Sequence, residues 1–273
     1  MEEKFKKLKI AACNIRKRIL AMANYCGANA HVGGSLSMVE VLATLYLEIM
    51  NYNSDSMKNQ MRDRFILSKG HSAMALYAVL AEAGILTDDM LKTFQQNGTD
   101  LVAHPVMNER LGIESSTGSL GQGISMAVGI AKAALLNNYP YKVYVMIGNG
   151  ESNEGSVWEA AMLAAHWKLS NLTVIIDNNT LQSDGSSKDV LDMGNLLEKW
   201  KSFGFYGVEI DGHDTKSIYE AFLADNDDRP KAIIANTIKG KGISFMENNI
   251  EWHHNRVTDR LYNCALEELE DKK

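Results

Sequence analysis

Proline is scarce in this 273-residue chain and so is cysteine, with three of each. Three prolines leave no Pro-rich linker, and neither an internal repeat nor a low-complexity tract marks a domain break. One large domain over residues 1–273, opened by an N-terminal helical segment, is therefore expected. Cys13, Cys26 and Cys264 show no paired spacing and no CxxC. That argues against a disulfide framework and predicts reduced, buried thiols in a cytoplasmic protein. Long hydrophobic runs are missing too: none approaches the roughly 20 residues needed to span a bilayer. The charged, amphipathic N-terminus lacks a signal-peptide core, so no membrane is expected as a partner. Basic charge is in deficit. A net charge of −6 argues against nucleic acid as a general partner, because phosphate backbones are bound by basic surfaces. What remains, 45% hydrophobic and 23% charged residues, is enough to build an ordinary globular core.

The most informative stretch is 143–185, VYVMIGNGESNEGSVWEAAMLAAHWKLSNLTVIIDNNTLQSDG. Residues 143–147 form a short apolar run of strand type. Gly148-Asn149-Gly150-Glu151-Ser152-Asn153 is too polar and too glycine-rich to continue it. From Glu154 the spacing of Val157, Ala160, Ala161, Ala164 and Trp167 turns helical. Residues 172–176 make a second buried strand, ending in Asp177-Asn178-Asn179. This βαβ unit carries glycines and oxygen-bearing side chains at the carboxyl ends of both strands, the edge where open α/β sheets bind ligands. A diphosphate held through a divalent cation suits it. Mg²⁺ takes hard oxygen ligands and often shares phosphate oxygens with the protein. Asn149 and Asn179 offer amide oxygens, the Leu181 carbonyl a third, and the helix starting near Glu154 adds amide N–H groups.

Elsewhere the pattern alternates in the same way. Residues 3–24 read as a helix with Phe5, Leu8, Ala12, Ile15, Ile19 and Met22 as its apolar stripe and lysines and arginines on a solvated face. Residues 27–34 break it and place His31 in a loop. Residues 37–50 read as a second helix, with Ser37 as N-cap and Glu40 completing a capping box. Strand 64–67 runs into the turn Ser68-Lys69-Gly70-His71 and helix 73–83. His104 sits beside a proline. A glycine-rich loop over 115–123 leads into helix 124–136. Helices over 195–202 and 217–224 alternate with strands over 207–210 and 232–237. The alternation implies an α/β fold, a parallel sheet with helices on both faces.

Gly148-Asn149-Gly150 followed by Asn178-Asn179 resembles the thiamine diphosphate motif, G-D-G and then N or NN, and most closely that of transketolases. Five further blocks, in the family's order, extend the resemblance over nearly the whole chain: Ala30-His31-Val32-Gly33-Gly34, Ser68-Lys69-Gly70-His71, Ala103-His104-Pro105, Thr117-Gly118-Ser119-Leu120-Gly121-Gln122-Gly123 and Lys239-Gly240-Lys241-Gly242. The chain looks like the N-terminal, diphosphate-binding subunit of a split transketolase, with the fold of a thiamine diphosphate-binding PP domain. The resemblance implies transfer of a two-carbon ketol unit from a ketose, as its phosphate or a related sugar, to an aldose acceptor, as in the pentose phosphate reactions. It implies His31 and His253 as the catalytic histidines. Thiamine diphosphate would be met by His71, His104, Gly118, Ser119, Leu120, Gly150, Glu154, Asn179 and His253. Mg²⁺, or Ca²⁺ or Mn²⁺ in its place, would be held by Asn149, Asn179 and the Leu181 carbonyl. It also implies a partner, the C-terminal transketolase subunit with the pyrimidine domain, in an α2β2 heterotetramer. The glutamate that activates the cofactor in the family belongs to that domain, so this chain is expected to be inert alone.

Two departures matter. The family's metal-binding aspartate is Asn149 here, which removes a negative charge beside the cation and predicts weaker Mg²⁺ and cofactor binding than an aspartate would give. This substitution supports an alternative in which the chain is a catalytically degenerate thiamine diphosphate-binding or regulatory subunit. Where the family has His-Gly, this chain has His253-His254, leaving both as candidates for the active-site histidine. A nicotinamide dehydrogenase is a third reading, since strand, Gly148-x-Gly150 and helix mimic a Rossmann turn. Asn153 at the third glycine position and the unexplained remaining blocks weigh against it.

Overall fold

A computed structural model describes residues 2–52 and 59–270. Its elements, in chain order, are helix α1 (Glu2–Tyr25), strand β1 (Asn29–Ala30), helices α2 (Gly33–Leu36) and α3 (Val39–Thr44), strand β2 (Arg64–Leu67), and helices α4 (Ala73–Glu82), α5 (Asp88–Leu91) and α6 (Gln122–Leu136). Strand β3 (Val143–Gly148), helix α7 (Gly155–His166), strand β4 (Leu172–Asn178) and helices α8 (Ser187–Leu191) and α9 (Leu196–Ser202) follow. Strand β5 (Tyr206–Asp211), helix α10 (Thr215–Leu223), strands β6 (Lys231–Asn236) and β7 (Asn255–Arg256) and helix α11 (Asp259–Glu270) complete the chain.

The main sheet has five parallel strands in the order β2-β3-β4-β6-β5. Strands β3, β4 and β6 are near-continuous apolar runs because both faces are covered, whereas the edge strand β5 is partly exposed. Val143, Val145 and Ile147 point to one face, where they pack with Val128 and Ala131 of α6, Val157 and Ala161 of α7 and Trp200 of α9. Tyr144 and Met146, one residue out of phase, point to the other face, onto the cluster that holds Ile15 and Ile19 of α1, Tyr77 of α4 and Phe222 of α10. Each such aliphatic side chain removed from water contributes about 1.5–3 kcal/mol. The period of two thus sets a three-layer α/β/α molecule as expected, and all five strands deliver their carboxyl ends to one edge.

Four expectations are corrected. The helix expected from residue 37 begins at Gly33 and is interrupted at Met38, which leaves the helical region before α3 and then a π-helical turn over Leu45–Ile49. Ser37 caps nothing: its hydroxyl donates to the charged carboxylate of Asp177 at Oδ2, 2.7 Å away. Glu40 makes no capping box, and its carboxylate meets Arg16 and His213. Arg16 itself leaves the solvated face of α1 and is buried. The cysteines are free as expected but not buried, with Cys13 and Cys26 half-buried and Cys264 exposed. Among the described residues no helix is long and apolar enough to cross a membrane.

Candidate functional site

At the carboxyl edge of β2, β3, β4 and β6 lies a cavity of about 550 Å³. It is built by the segments that leave those strands. Ser68–His71 follow β2, Gly148–Glu154 follow β3, Asn179–Ser183 follow β4 and Thr237–Lys239 follow β6. His31, His104 and His253 close it from three further loops. Two glycines of the surrounding loops are there for close approach. A Cβ on Gly70 would lie 2.6 Å from the backbone carbon of Thr117, so the loop after β2 and the loop before α6 touch only because this residue has no side chain. Gly118 has φ +152°, and a Cβ there would press on the His104 ring at 3.2 Å.

Two buried carboxylates organise the loops. Asp177 at the end of β4 accepts hydrogen bonds from Ser37 Oγ, Asn179 Nδ2, Thr237 Oγ1 and Lys69 Nζ. Burial pushes its pKa up, but the Lys69 ammonium and these donors outweigh that and hold it below the usual carboxylate range. Glu151 accepts from Ser68 Oγ, from Gly121 N at 2.8 Å and from Gly148 N at 3.1 Å, which ties three cavity loops together. For Glu151 burial wins and its pKa is raised. Both of these carboxylates spend their oxygens on protein donors. Lys69 is paired with Asp177. Lys239 has no carboxylate partner among the described residues: its Nζ donates to the Gln182 carbonyl at 3.0 Å and to His253 Nδ1 at 2.9 Å. Burial, with the nearby Lys69 charge, lowers its pKa to about 8.

The imidazoles crowd together. The His31 ring lies 5.3 Å from His71, 5.7 Å from His104, 5.4 Å from His253 and 4.4 Å from His254. Burial, then the neighbouring His254 and His253, lowers the His31 pKa to about 3. Burial and Lys239 bring His253 to about 4. Burial also depresses His71, with Lys69 assisting, and His104, with His254 assisting. These rings are therefore neutral at physiological pH, each offering one donor and one acceptor nitrogen. An ammonium only donates, so His253 Nδ1 accepts from Lys239 and the proton sits on Nε2. His253 lines the cavity, whereas His254 is exposed and covers His31 from outside.

Of the residues singled out from the sequence, His31, His71, His104, Gly118, Leu120, Asn149, Gly150, Glu154, Asn179, Leu181 and His253 all line this one cavity. Ser119 is exposed and outside the lining. Sequence reasoning gives no role to Lys69, Glu151, Asp177, Gln182 or Lys239. The two lysines stand inside glycine-containing blocks of the family pattern, and that position is the available signal.

The donor set fits a diphosphate with its cation. The cavity presents the Lys239 ammonium, neutral imidazole nitrogens and glycine backbone; its two buried carboxylates are spent on protein donors, and the carboxylate of Glu154, which also lines it, is exposed to solvent. For the cation, Asn149 Nδ2 donates to Ser187 Oγ, while among the described residues its Oδ1 accepts no hydrogen bond. Asn179 Oδ1 accepts from Leu181 N at 3.2 Å, which leaves one lone pair, and the Leu181 carbonyl accepts from no described residue. Three neutral oxygens are thus available to a hard cation that completes its shell with phosphate oxygens and water.

Comparison with known proteins points the same way. Residues 10–260 match the family described as transketolase, thiamine diphosphate binding domain. One of the subunits of the apulose-4-phosphate transketolase of Actinobacillus succinogenes is 42% identical over 259 residues, covering 94% of each chain. The 6-deoxy-6-sulfo-D-fructose transketolase subunit SqwG of a Clostridium species is 42% identical over 258 residues, again covering 94% of each. The transketolase of Campylobacter jejuni superposes with a TM-score of 0.87 at 28% identity, covering 97% of this chain and 43% of that one. This chain thus spans under half the length of the solved transketolases it resembles and nearly the full length of the relatives described as subunits.

Proposed function

This chain belongs to the transketolase family through its thiamine diphosphate-binding domain, and from that premise we propose that it is the diphosphate-binding half of a two-chain transketolase. It forms one domain over residues 1–273. It works with a C-terminal subunit in an α2β2 assembly, in the cytoplasm, with Mg²⁺ as the bridging ion. The observation that carries this reading is the cavity itself, which brings the Lys239 ammonium and a ring of neutral imidazoles together with three neutral oxygens that each keep a lone pair.

When bound, thiamine diphosphate supplies the electron sink for cleaving and remaking a carbon–carbon bond next to a carbonyl. The chain's own residues do the rest. Lys239 offsets the charge of the diphosphate and the neutral His71 ring donates a hydrogen bond to it, with Gly118, Leu120 and Gly150 giving it backbone-close walls. Asn149, Asn179 and the Leu181 carbonyl hold the cation. His31 and His253, both neutral, take or give a proton at substrate hydroxyl and carbonyl oxygens. The substrate is a ketose, as a phosphate or as a modified or branched sugar, and the acceptor an aldose. The two relatives named for apulose 4-phosphate and 6-deoxy-6-sulfo-D-fructose support that breadth.

Reconstitution tests it. Mixed with its C-terminal partner, thiamine diphosphate and Mg²⁺, the chain should transfer a ketol unit from a ketose donor to an aldehyde, and neither chain alone should do so. Cofactor binding without transfer in the reconstituted pair would favour the catalytically silent subunit instead.

A further inference from the structure

The Lys239 ammonium occupies a position its own hydrogen bonds do not explain. Its partners are a carbonyl and a neutral imidazole, and a buried cation without a bonded carboxylate is drawn towards water. Something must hold the backbone that carries it. Lys239 lies in segment 238–241, which leaves the sheet after β6. At one end of that segment the Ile238 amide donates to His213 Nε2 at 2.8 Å. At the other end the Lys241 carbonyl accepts from Arg16 Nε at 2.9 Å. Both grips meet at one carboxylate: Arg16 Nη2 donates to Glu40 Oε1 at 2.6 Å, and His213 Nδ1 lies 3.0 Å from Glu40 Oε2.

The protonation pattern follows from geometry. His213 Nε2 accepts a backbone amide and so carries no proton. Nδ1 therefore carries it and donates to Glu40. Burial pushes the Glu40 carboxyl up, but Arg16 and His213 outweigh that and keep it below its ordinary range, so both oxygens act as acceptors. Arg16 comes from α1, Glu40 from α3 and His213 from the turn between β5 and α10. Three distant elements thus converge on the backbone on either side of one lysine, and none of the three residues lines the cavity.

We propose that Glu40, with Arg16 and His213, is a positioning clamp that fixes segment 238–241 and thereby places the Lys239 ammonium against the diphosphate. The proposal rests on the reading that the cavity takes thiamine diphosphate. The clamp residues touch neither cofactor nor substrate and act only through Lys239.

A double-mutant cycle on the intact chain tests it, with thiamine diphosphate affinity in the presence of Mg²⁺ measured by calorimetry. His213→Leu and Lys239→Met should each weaken binding by about tenfold, the loss of one charge-assisted contact. The double variant should lose no more than the worse single variant, since both remove the same contact. His213→Gln, which restores an acceptor for the Ile238 amide, should recover most of the affinity. Additive losses in the double variant, or wild-type affinity in His213→Leu, would overturn the clamp. If His213→Leu does not fold, Glu40→Gln takes its place, because an amide offers one acceptor oxygen where two donors need two. Hydrogen exchange over residues 238–242 of the free chain gives an independent reading. Exchange should rise there in His213→Leu and not in His213→Gln, and unchanged exchange would overturn the clamp. Should the wild-type chain fail to bind the cofactor, the functional reading falls, and exchange alone decides the clamp.

Discussion

Asn149 stands where the family resemblance calls for an aspartate, and its surroundings show why the chain tolerates the change. The amide nitrogen is spent on Ser187 Oγ, which fixes the oxygen as the atom left for a ligand. The charge that an aspartate would bring towards the cation is absent. In compensation, under the proposed function the anion would meet Lys239, whose bonded partners are neutral. On the proposed reading the diphosphate would therefore rely on the Lys239 cation as well as on the metal. Asn149→Asp should tighten Mg²⁺ binding by at least about tenfold, because a unit charge beside a divalent ion is worth kilocalories even when partly screened. The Ser187 hydroxyl can donate to the new carboxylate, so the geometry survives. Calorimetry of Mg²⁺ in the presence of thiamine diphosphate checks this, and equal affinities for the two forms would contradict the charge argument.

The elements matter through how closely their ends approach. The loop after β2 and the loop before α6 meet where a Cβ on Gly70 would sit 2.6 Å from Thr117 backbone. Gly70→Ala should therefore separate them, moving His71 and Gly118 apart. The expected outcome is a loss of about 1–3 kcal/mol of stability, as for other overpacked sites, together with weakened cofactor binding. Thermal unfolding and a cofactor titration check it, and a variant with unchanged melting and affinity would refute the contact. This level also shows what can be read from the sequence. Strands β2, β3, β4 and β6 are legible to within two residues because their apolar runs end in polar or glycine-rich segments. The cavity residues are legible because most of them lie in those polar ends. Glu40 and Arg16 mislead because each sits in a helix whose local pattern is satisfied by solvent. Their pairing spans 24 residues of chain and exists only after α1 packs on α3. Lys69 and Lys239 are visible as letters but not as roles, since their partners Asp177 and Gln182 come from a different strand end.

At the scale of the whole molecule, the parallel sheet makes a cofactor site by default. Five strands bring their carboxyl ends to one edge, and the loops after four of them each contribute one kind of group: lysine after β2, glycine and carboxylate after β3, neutral oxygens after β4, lysine again after β6. The rest of the fold serves to hold these loops, through Asp177 and Glu151 on the cavity side and the Arg16, Glu40 and His213 cluster behind it. The account's central claim is that the pocket grips a metal-bridged diphosphate tail. A crystal of the chain grown with thiamine diphosphate and Mn²⁺ tests it most directly, through the anomalous signal of the manganese. The account predicts one peak within coordination distance of Asn149 Oδ1, Asn179 Oδ1 and the Leu181 carbonyl, with the diphosphate between it and Lys239. A peak elsewhere, or cofactor density with the diphosphate turned away from Lys239, would contradict it.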